Sequence, residues 1–405
     1  MPLVRPFRTA LCATLALCLL LPLLIAPLTV SAQAVGTGDP RIPLPALDSI
    51  GSLSAQSAVL IDAASGQVLY AKNEQARLPM ASTTKIMTAL CAVELGKVGQ
   101  IITVSPDAVG IEGSSIYLYE NEQLTLEQLL YALLLESAND AAAAIAIALC
   151  GNIESFADYM NAKAGELGLE NTHFENPHGL DGEQHYTTAH DLALIAREAL
   201  EHPTLRNIFA TRKITIPLGG TQGARSLINH NKMLRYYEGA IGVKTGFTKR
   251  SGRCLVSAAE RDGLTLIAVT LNAPDDWSDH TRMLDAGFAA YDRVVLCDAN
   301  SFQAMVPVTG GKEGYVIVQN AYTASITLPK HRGAMLCTVE LPRFLYAAVS
   351  ADTMIGTLVF RCDTDGDGLA EELCRIPLRT AYGVERRERK TLFQKIRAWL
   401  SRIAA

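Results

Sequence analysis

Residues 57–72, SAVLIDAASGQVLYAK, read as two short apolar strands joined by the turn Ala64-Ser65-Gly66. Their counterpart lies far downstream, in RCLVSAAERDGLTLIAVTL at 253–271. There the apolar runs 253–259 and 264–271 flank Asp262-Gly263, a hairpin-turn signal. Helical periodicity fills much of the interval, at 78–95 with Pro79 at its start, 126–136, 140–149 and 188–200. A further helix at 279–291 follows the second strand pair. Strands at both ends with helices between them predict an α/β domain, an antiparallel sheet with an inserted helical block.

After residue 297 the texture changes. Short β-like runs at 315–319, 325–328 and 357–361 replace the helical pattern, so 298–380 reads as a small C-terminal β-rich domain. No internal repeat or low-complexity tract interrupts the chain. The expected order is a signal peptide at 1–34, a linker at 35–50, a catalytic domain at 51–297, the β-rich domain at 298–380 and a tail at 381–405.

Both ends point out of the cytoplasm. Arg5 and Arg8 precede an apolar run at 11–30 and then Ala32-Gln33-Ala34, the layout of a cleavable secretory signal. In the tail, Arg386, Arg387, Arg389, Lys390, Lys395, Arg397 and Arg402 face only Glu385 and Glu388. Leu392, Phe393, Ile396, Trp399, Leu400 and Ile403 recur at helical spacing among them. A basic amphipathic helix of this kind lies in the plane of a membrane surface, and it is too short and too charged to span one. These features predict an exported protein held peripherally at the outer face of the cytoplasmic membrane.

Composition closes off other classes. Of 405 residues, 49% are hydrophobic and 19% charged, so the chain has material for a sizeable core. A net charge of −5 lacks the basic excess of a general nucleic-acid binder. Nine cysteines with no C-x-x-C pair exclude a zinc ribbon or a thioredoxin-type motif. No His-Glu-x-x-His occurs, which argues against a metallopeptidase.

Three short motifs occur in order: Ser82-Thr83-Thr84-Lys85, Ser137-Ala138-Asn139 and Lys244-Thr245-Gly246. Ser82 near a helix start and Lys85 one turn on share a face, so the amine can reach the hydroxyl. Free N–H groups at that helix start suit an oxyanion. A serine needs a base to become a nucleophile, and an ordinary lysine, with a pKa near 10.4, is protonated at neutral pH. Lys85 therefore needs burial and a neighbouring cation, and Lys244 is the candidate cation. Ser137 and Asn139 fall in a loop between two apolar helices, placed to relay a proton and to hold a substrate amide. In the third motif Gly246 clears space beside a strand where an extended peptide can add. Lys244 and Thr245 are placed to bind a terminal carboxylate. Taken singly, each motif equally fits a helix cap, a surface lysine or an edge strand; the set does not.

The S-x-x-K, S-x-N and K-T-G set resembles the penicillin-binding protein and β-lactamase signature. The flanking residues narrow it. Pro79–Leu90, Glu136-Ser137-Ala138-Asn139-Asp140-Ala141, Asn176-Pro177-His178-Gly179-Leu180 and Gly242-Val243-Lys244-Thr245-Gly246-Phe247-Thr248 resemble the low-molecular-mass serine D-alanyl-D-alanine carboxypeptidases, peptidase family S11. The similarity runs from about residue 57 to 291. It implies a β-lactamase/transpeptidase-like catalytic fold in which Ser82 is acylated by the penultimate D-Ala of a peptidoglycan stem pentapeptide. It implies Lys85 as general base, Ser137 and Lys244 as proton-transfer partners, and Asn139 and Thr245 as substrate-positioning groups. The backbone N–H groups of Ser82 and Phe247 form the expected oxyanion hole, with Gly246 beside them on the substrate strand. β-Lactams are expected to acylate Ser82, and no cofactor or metal is implied.

Two departures stand out. Phe247 stands where some relatives have His, and Ser251-Gly252-Arg253 replaces a commoner Ser/Ala-Gly-aromatic run. Arg253 and Arg282 are the candidates for the arginine that some relatives direct at the substrate carboxylate. A DD-endopeptidase, a β-lactamase of the same fold and a non-catalytic β-lactam sensor or scaffold share the motifs. Asp363-Thr364-Asp365-Gly366-Asp367-Gly368 looks like the start of a calcium loop, but the twelfth position is Cys374 rather than Glu. Cys337, Cys362 and Cys374 are candidates for a disulfide within the β-rich domain.

Overall fold

The computed structural model describes residues 47–403 apart from 221 and 389–391. The expected signal segment and most of the linker lie outside the described residues. The centre of the molecule is a five-stranded antiparallel sheet. Its strands are β1 (Ser57–Asp62), β2 (Val68–Lys72), β3 (Ala240–Thr248), β4 (Gly252–Arg261) and β5 (Leu264–Leu271), in the order β2-β1-β5-β4-β3. The Asp262-Gly263 turn has positive φ at both residues, 50° and 79°, as a two-residue hairpin requires.

The sheet is buried on both faces, which is why β1 shows no hydrophobic alternation. Val59 and Ile61 face the helical block with Ile267 and Val269, whereas Ala58 and Leu60 face the opposite layer with Leu266 and Ala268. The helical block contains α1 (Lys85–Leu95), α2 (Leu126–Leu135), α3 (Asn139–Cys150), α4 (Ile153–Glu166), α5 (Ala189–Glu201) and α6 (Pro203–Ala210). The opposite layer is α7 (Asp276–Ala290). Local caps set several boundaries. Thr125 and Gln128 form a capping box on α2, and the Thr188 hydroxyl accepts from Asp191 N at the start of α5.

The first helix begins later than its sequence pattern, because Leu78 is drawn into a β-bridge with Thr187 and Ala81–Thr84 forms a 3₁₀ turn. Helices α4 and α6 and the hairpin Lys213–Leu218/Gly223–Ile228 have no counterpart in the sequence reading. They are short or weakly amphipathic, and tertiary packing stabilises them.

Beyond α7, Tyr291–Cys297 pairs with Ala324–Pro329, and a six-stranded sheet packs around Leu358, Phe360, Ile376 and Leu378. A second small core gathers Val306, Val308, Val316, Val318 and Val384. The described cysteines, Cys337, Cys362 and Cys374 among them, are free thiols. Helix Leu392–Ile403 leaves Phe393, Ile396, Trp399, Leu400 and Ile403 exposed. Among the described residues no single helix is long and apolar enough to cross a membrane.

Candidate active site

Ser82 lies in the 3₁₀ turn that runs into α1, and Lys85 is the first residue of that helix. Ala81, just before the serine, adopts a left-handed φ of 48°. The turn is clasped from two sides by glycines. A Cβ on Gly179 (φ +87°) would fall 2.1 Å from Ala81 O and 3.0 Å from Ser82 N. A Cβ on Gly246 would meet Ala81 Cβ, Met80 O and Ser82 N, each at 3.1 Å. At Gly179 only a residue without a side chain lets the 176–180 segment close on the serine backbone, and at Gly246 a side chain would press β3 away from it by a few tenths of an ångström.

Lys85 is fully buried, and its Nζ has three neighbours. It lies 3.0 Å from Ser82 Oγ, 2.7 Å from Asn139 Oδ1, and in contact with the carbonyl of His178. Asn139 is oriented by donating its Nδ2 to Glu112 O at 2.5 Å, which turns Oδ1 toward the lysine. Both Asn139 Oδ1 and the His178 carbonyl can only accept. A neutral amine has two N–H bonds and one lone pair. With Lys85 charged, its three hydrogens go to these three oxygens; with Lys85 neutral, the two pure acceptors take both hydrogens and the lone pair is left for the Ser82 hydroxyl. Burial pushes the Lys85 pKa well down, and the charge of Lys244 adds to this, against an opposing pull from Asp140.

Lys244 is also buried, and desolvation lowers it to about 7. Its register partner Val256, like Cys254 opposite Gly246, belongs to the core beneath the helical block, so Lys244 and Gly246 face α1. The Lys244 Nζ donates to Thr245 O at 2.9 Å. Thr245 is half-buried, and the Phe247 side chain is 65% exposed. A side-chain role for Phe247 in a closed site has no support in that exposure; its backbone is what the strand presents.

Ser137 is buried in the short connection between α2 and α3, at a left-handed φ of 60°. Such backbone geometry is costly for a residue with a side chain and collects at functional sites. Its hydroxyl makes no hydrogen bond to Ser82, Lys85 or Lys244 among the described residues. The connection is braced by Glu136, whose carboxylate accepts from Ile228 N at 2.6 Å and lies 3.2 Å from His230 Nε2. Asp140, at the start of α3, is buried and accepts from Ser115 Oγ, Ile116 N and Leu118 N. That holds the 112–118 loop against Asn139, which itself donates N–H to Ser114 O at 2.7 Å.

Sequence reading takes His178 and His185 as loop and cap residues and assigns no role to the His178 carbonyl or Gly179. The run Asn176–Leu180 is the signal for those two, but a carbonyl acceptor leaves no mark on residue type. His185 Nδ1 accepts from Glu175 N, so its proton is on Nε2, 2.8 Å from Thr84 Oγ1. Burial drives its pKa to about 4, so the ring stays neutral and fixes the turn beneath Ser82. Of the two arginines considered for carboxylate binding, Arg282 is committed to Asp279 and to the carbonyls of Ile50 and Ser52. Arg253, across from Phe247, pairs with Asp276 at the start of α7. In the β-rich part, the carboxylates of Asp363, Asp365 and Asp367 come within 4.8 Å of one another. They accept from the N–H groups of their own turn, Gly366, Gly368, Asp367 and Leu369.

Comparison with known proteins places this geometry in context. The family model described as D-alanyl-D-alanine carboxypeptidase, Peptidase S11, matches residues 45–275. The chain is 35% identical to the D-alanyl-D-alanine carboxypeptidase DacF of Bacillus subtilis, over 78% of this chain and 83% of that one. It is 28% identical to DacA of Escherichia coli K12, over 78% and 82%. Among solved structures, penicillin-binding protein 5 of Haemophilus influenzae superimposes with a TM-score of 0.69 at 27% identity, covering 83% of this chain and 98% of that one. A mutant form of the Streptomyces K15 DD-transpeptidase gives 0.56 at 33% identity, covering 59% and 99%.

Proposed function

The chain belongs to the D-alanyl-D-alanine carboxypeptidase family of serine peptidases, and from that premise we propose how its own residues carry the reaction. Ser82 Oγ attacks the carbonyl of the penultimate D-Ala in a peptidoglycan stem pentapeptide, and its proton passes to the neutral amine of Lys85. The N–H groups of Ser82 and Phe247 hold the oxyanion. Collapse breaks the peptide bond, and the proton held by Lys85 passes by way of Ser137 and Lys244 to the leaving D-Ala amine, which restores the neutral Lys85. Water then attacks the acyl-enzyme, giving its proton to Lys85, and Lys85 returns that proton to Ser82 Oγ as the ester bond breaks and the shortened peptide leaves. Asn139 and Thr245 align the substrate beside β3, with Gly246 leaving room for it, and Lys244 in its charged form attracts the terminal carboxylate. β-Lactams acylate the same Ser82.

One observation carries this reading: a fully buried lysine whose amine lies 3.0 Å from the serine hydroxyl with its other two contacts on pure acceptors. General-base catalysis needs a neutral amine, which burial and the nearby Lys244 favour, whereas a solvated lysine on a capped surface helix stays charged.

The rest of the chain fits a wall enzyme working outside the cytoplasm. Arg5, Arg8, the apolar run and Ala32-Gln33-Ala34 support export with cleavage after Ala34. The exposed apolar residues of Leu392–Ile403, with the surrounding Lys and Arg, support peripheral attachment to the outer face of the cytoplasmic membrane. Separate cores support 51–297 as the catalytic domain and 298–380 as a β-rich domain.

The test is D-Ala release from a diacyl-Lys-D-Ala-D-Ala peptide by residues 35–405, beside Ser82→Ala. Release that disappears in Ser82→Ala is expected. Fluorescent-penicillin labelling without peptide turnover would instead make the protein a β-lactam sensor.

A further inference from the structure

The six-stranded sheet has an outer face whose apolar side chains serve no internal core. Along Gln303–Thr309 and Tyr315–Asn320, Val306, Val308, Val316 and Val318 point inward. Met305, Pro307 and Thr309 alternate outward, and the register sets Tyr315 opposite Pro307 and Ile317 opposite Met305. At the sheet edge Tyr346 pairs beside Thr309, and Phe344 packs edge-on against it at 5.2 Å. Met305 is 70% and Tyr346 71% exposed, and Tyr315 and Phe344 are about half exposed. A contiguous apolar and aromatic patch of this kind on a surface marks a contact region.

We propose that this face, Met305, Tyr315, Phe344 and Tyr346, rests on an anionic lipid surface together with the tail helix, so that the β-rich domain lies against the bilayer. The proposal rests on the membrane reading of the tail. Three observations select lipid over other occupants. The first is where the tail departs. Val384 pairs with Val349, Gly311 bridges Arg386, and Arg387 N donates to Gly310 O. The chain therefore leaves the body beside the 310–314 hairpin tip, which borders the aromatic face. The second is reach. Helix Leu392–Ile403 begins four residues after Glu388, and four residues span at most about 14 Å. A helix lying in a lipid surface thus holds the hairpin end within about 14 Å of it. The third is charge. Lys312, Arg343, Arg386 and Arg387 are exposed around the hairpin end among Glu313, Glu385 and Glu388, a small basic excess that complements anionic headgroups. Tyr and Phe suit the headgroup level, where a ring is buried and a polar edge stays wet. Two weak contacts joined by a short tether reinforce each other through effective concentration.

The test uses residues 35–405 and vesicles of phosphatidylglycerol and phosphatidylcholine at about 3:7. Trp277 and Trp399 are the two tryptophans, so a Trp277→Phe background isolates Trp399 as the reporter of the tail. A second protein carries Tyr346→Trp with Trp277→Phe and Trp399→Phe, and reports the face. Lipids brominated along their chains are expected to quench both reporters. The substitution Met305→Ser/Phe344→Ser/Tyr346→Ser, with the tail intact, is expected to lower the partition coefficient at least tenfold. An unchanged far-UV spectrum and unfolding profile show that the β-rich domain of the variant is folded, and unchanged fluorescent-penicillin labelling shows the same of the catalytic domain. Quenching of Trp399 with an unquenched indole at position 346, and wild-type partition of the triple variant, would overturn the proposal and leave the tail reading standing. No binding of the unaltered protein would overturn both.

Discussion

Lys85 Nζ stands 3.0 Å from Ser82 Oγ, one helical turn away on the same face, with its remaining contacts on the Asn139 side-chain oxygen and the His178 carbonyl. The pair is the catalytic unit only if the amine is neutral. Lys85→Arg keeps the charge and cannot give it up. The acylation rate by a fluorescent penicillin should fall by about 10²–10⁴-fold, the usual contribution of a general base. Retention of more than a tenth of the wild-type rate would mean that another group takes the proton.

The two lysines set opposite limbs of a pH profile. As the proposed general base Lys85 must be neutral, so acylation is expected to rise with pH through its lowered pKa. In its proposed role Lys244 must be charged, and its pKa is lowered to about 7, so its contribution is expected to fall as pH passes that value. The kcat/KM profile should be bell-shaped, with an alkaline limb at about pH 7. Lys244→Arg stays protonated, so the alkaline limb should move to higher pH. A limb that stays in place would assign it to some other group.

Gly179→Ala introduces a Cβ 2.1 Å from Ala81 O at a φ of +87°. The segment must retreat from the turn that holds Ser82. A stability loss of about 1–3 kcal/mol is expected from the backbone strain, read as a lower Tm. Acylation should slow more than tenfold, because the His178 carbonyl that orients Lys85 moves with it. A wild-type labelling rate would show that the contact is dispensable.

Arg225 neutralises the buried Glu122 and donates to the carbonyls of Ile116 and Tyr117. Arg225→Ala leaves that carboxylate without its cation, a change that costs about 3–5 kcal/mol for a buried pair. Denaturant unfolding should show the loss. The same ion pair supports the 112–118 loop behind Asn139, so KM for the peptide should rise as well. A Tm within error of wild type would show that the ion pair is dispensable to stability.

Much of the fold is legible in local pattern. The strand pairs at 57–72 and 253–271 stand out because both faces of the sheet are buried, which makes their apolar runs dense. The Asp262-Gly263 turn is legible because few residues tolerate its dihedrals. The start of α1 is not, because a bridge from Leu78 to Thr187, distant in sequence, competes with the helix. The His178 carbonyl and the Glu136 brace are hidden because a backbone acceptor and a surface-type carboxylate carry no signature of residue type.

By itself the sequence determined the order of the three motifs, the one-turn spacing that sets Lys85 beside Ser82, and the basic amphipathic character of the tail. These are matters of helical period and composition, and they need only neighbours along the chain. The tertiary structure alone decided that Lys85 is buried, that two acceptors take its hydrogens, and that Gly179 and Gly246 close on the serine turn. Asn139 and His178 touch the amine from 54 and 93 positions along the chain, and the charge of Lys244 acts on it from a strand beyond them. Desolvation and hydrogen-bond complement depend on what packs around a group in space, and only closure of the sheet against the helical block brings those elements together.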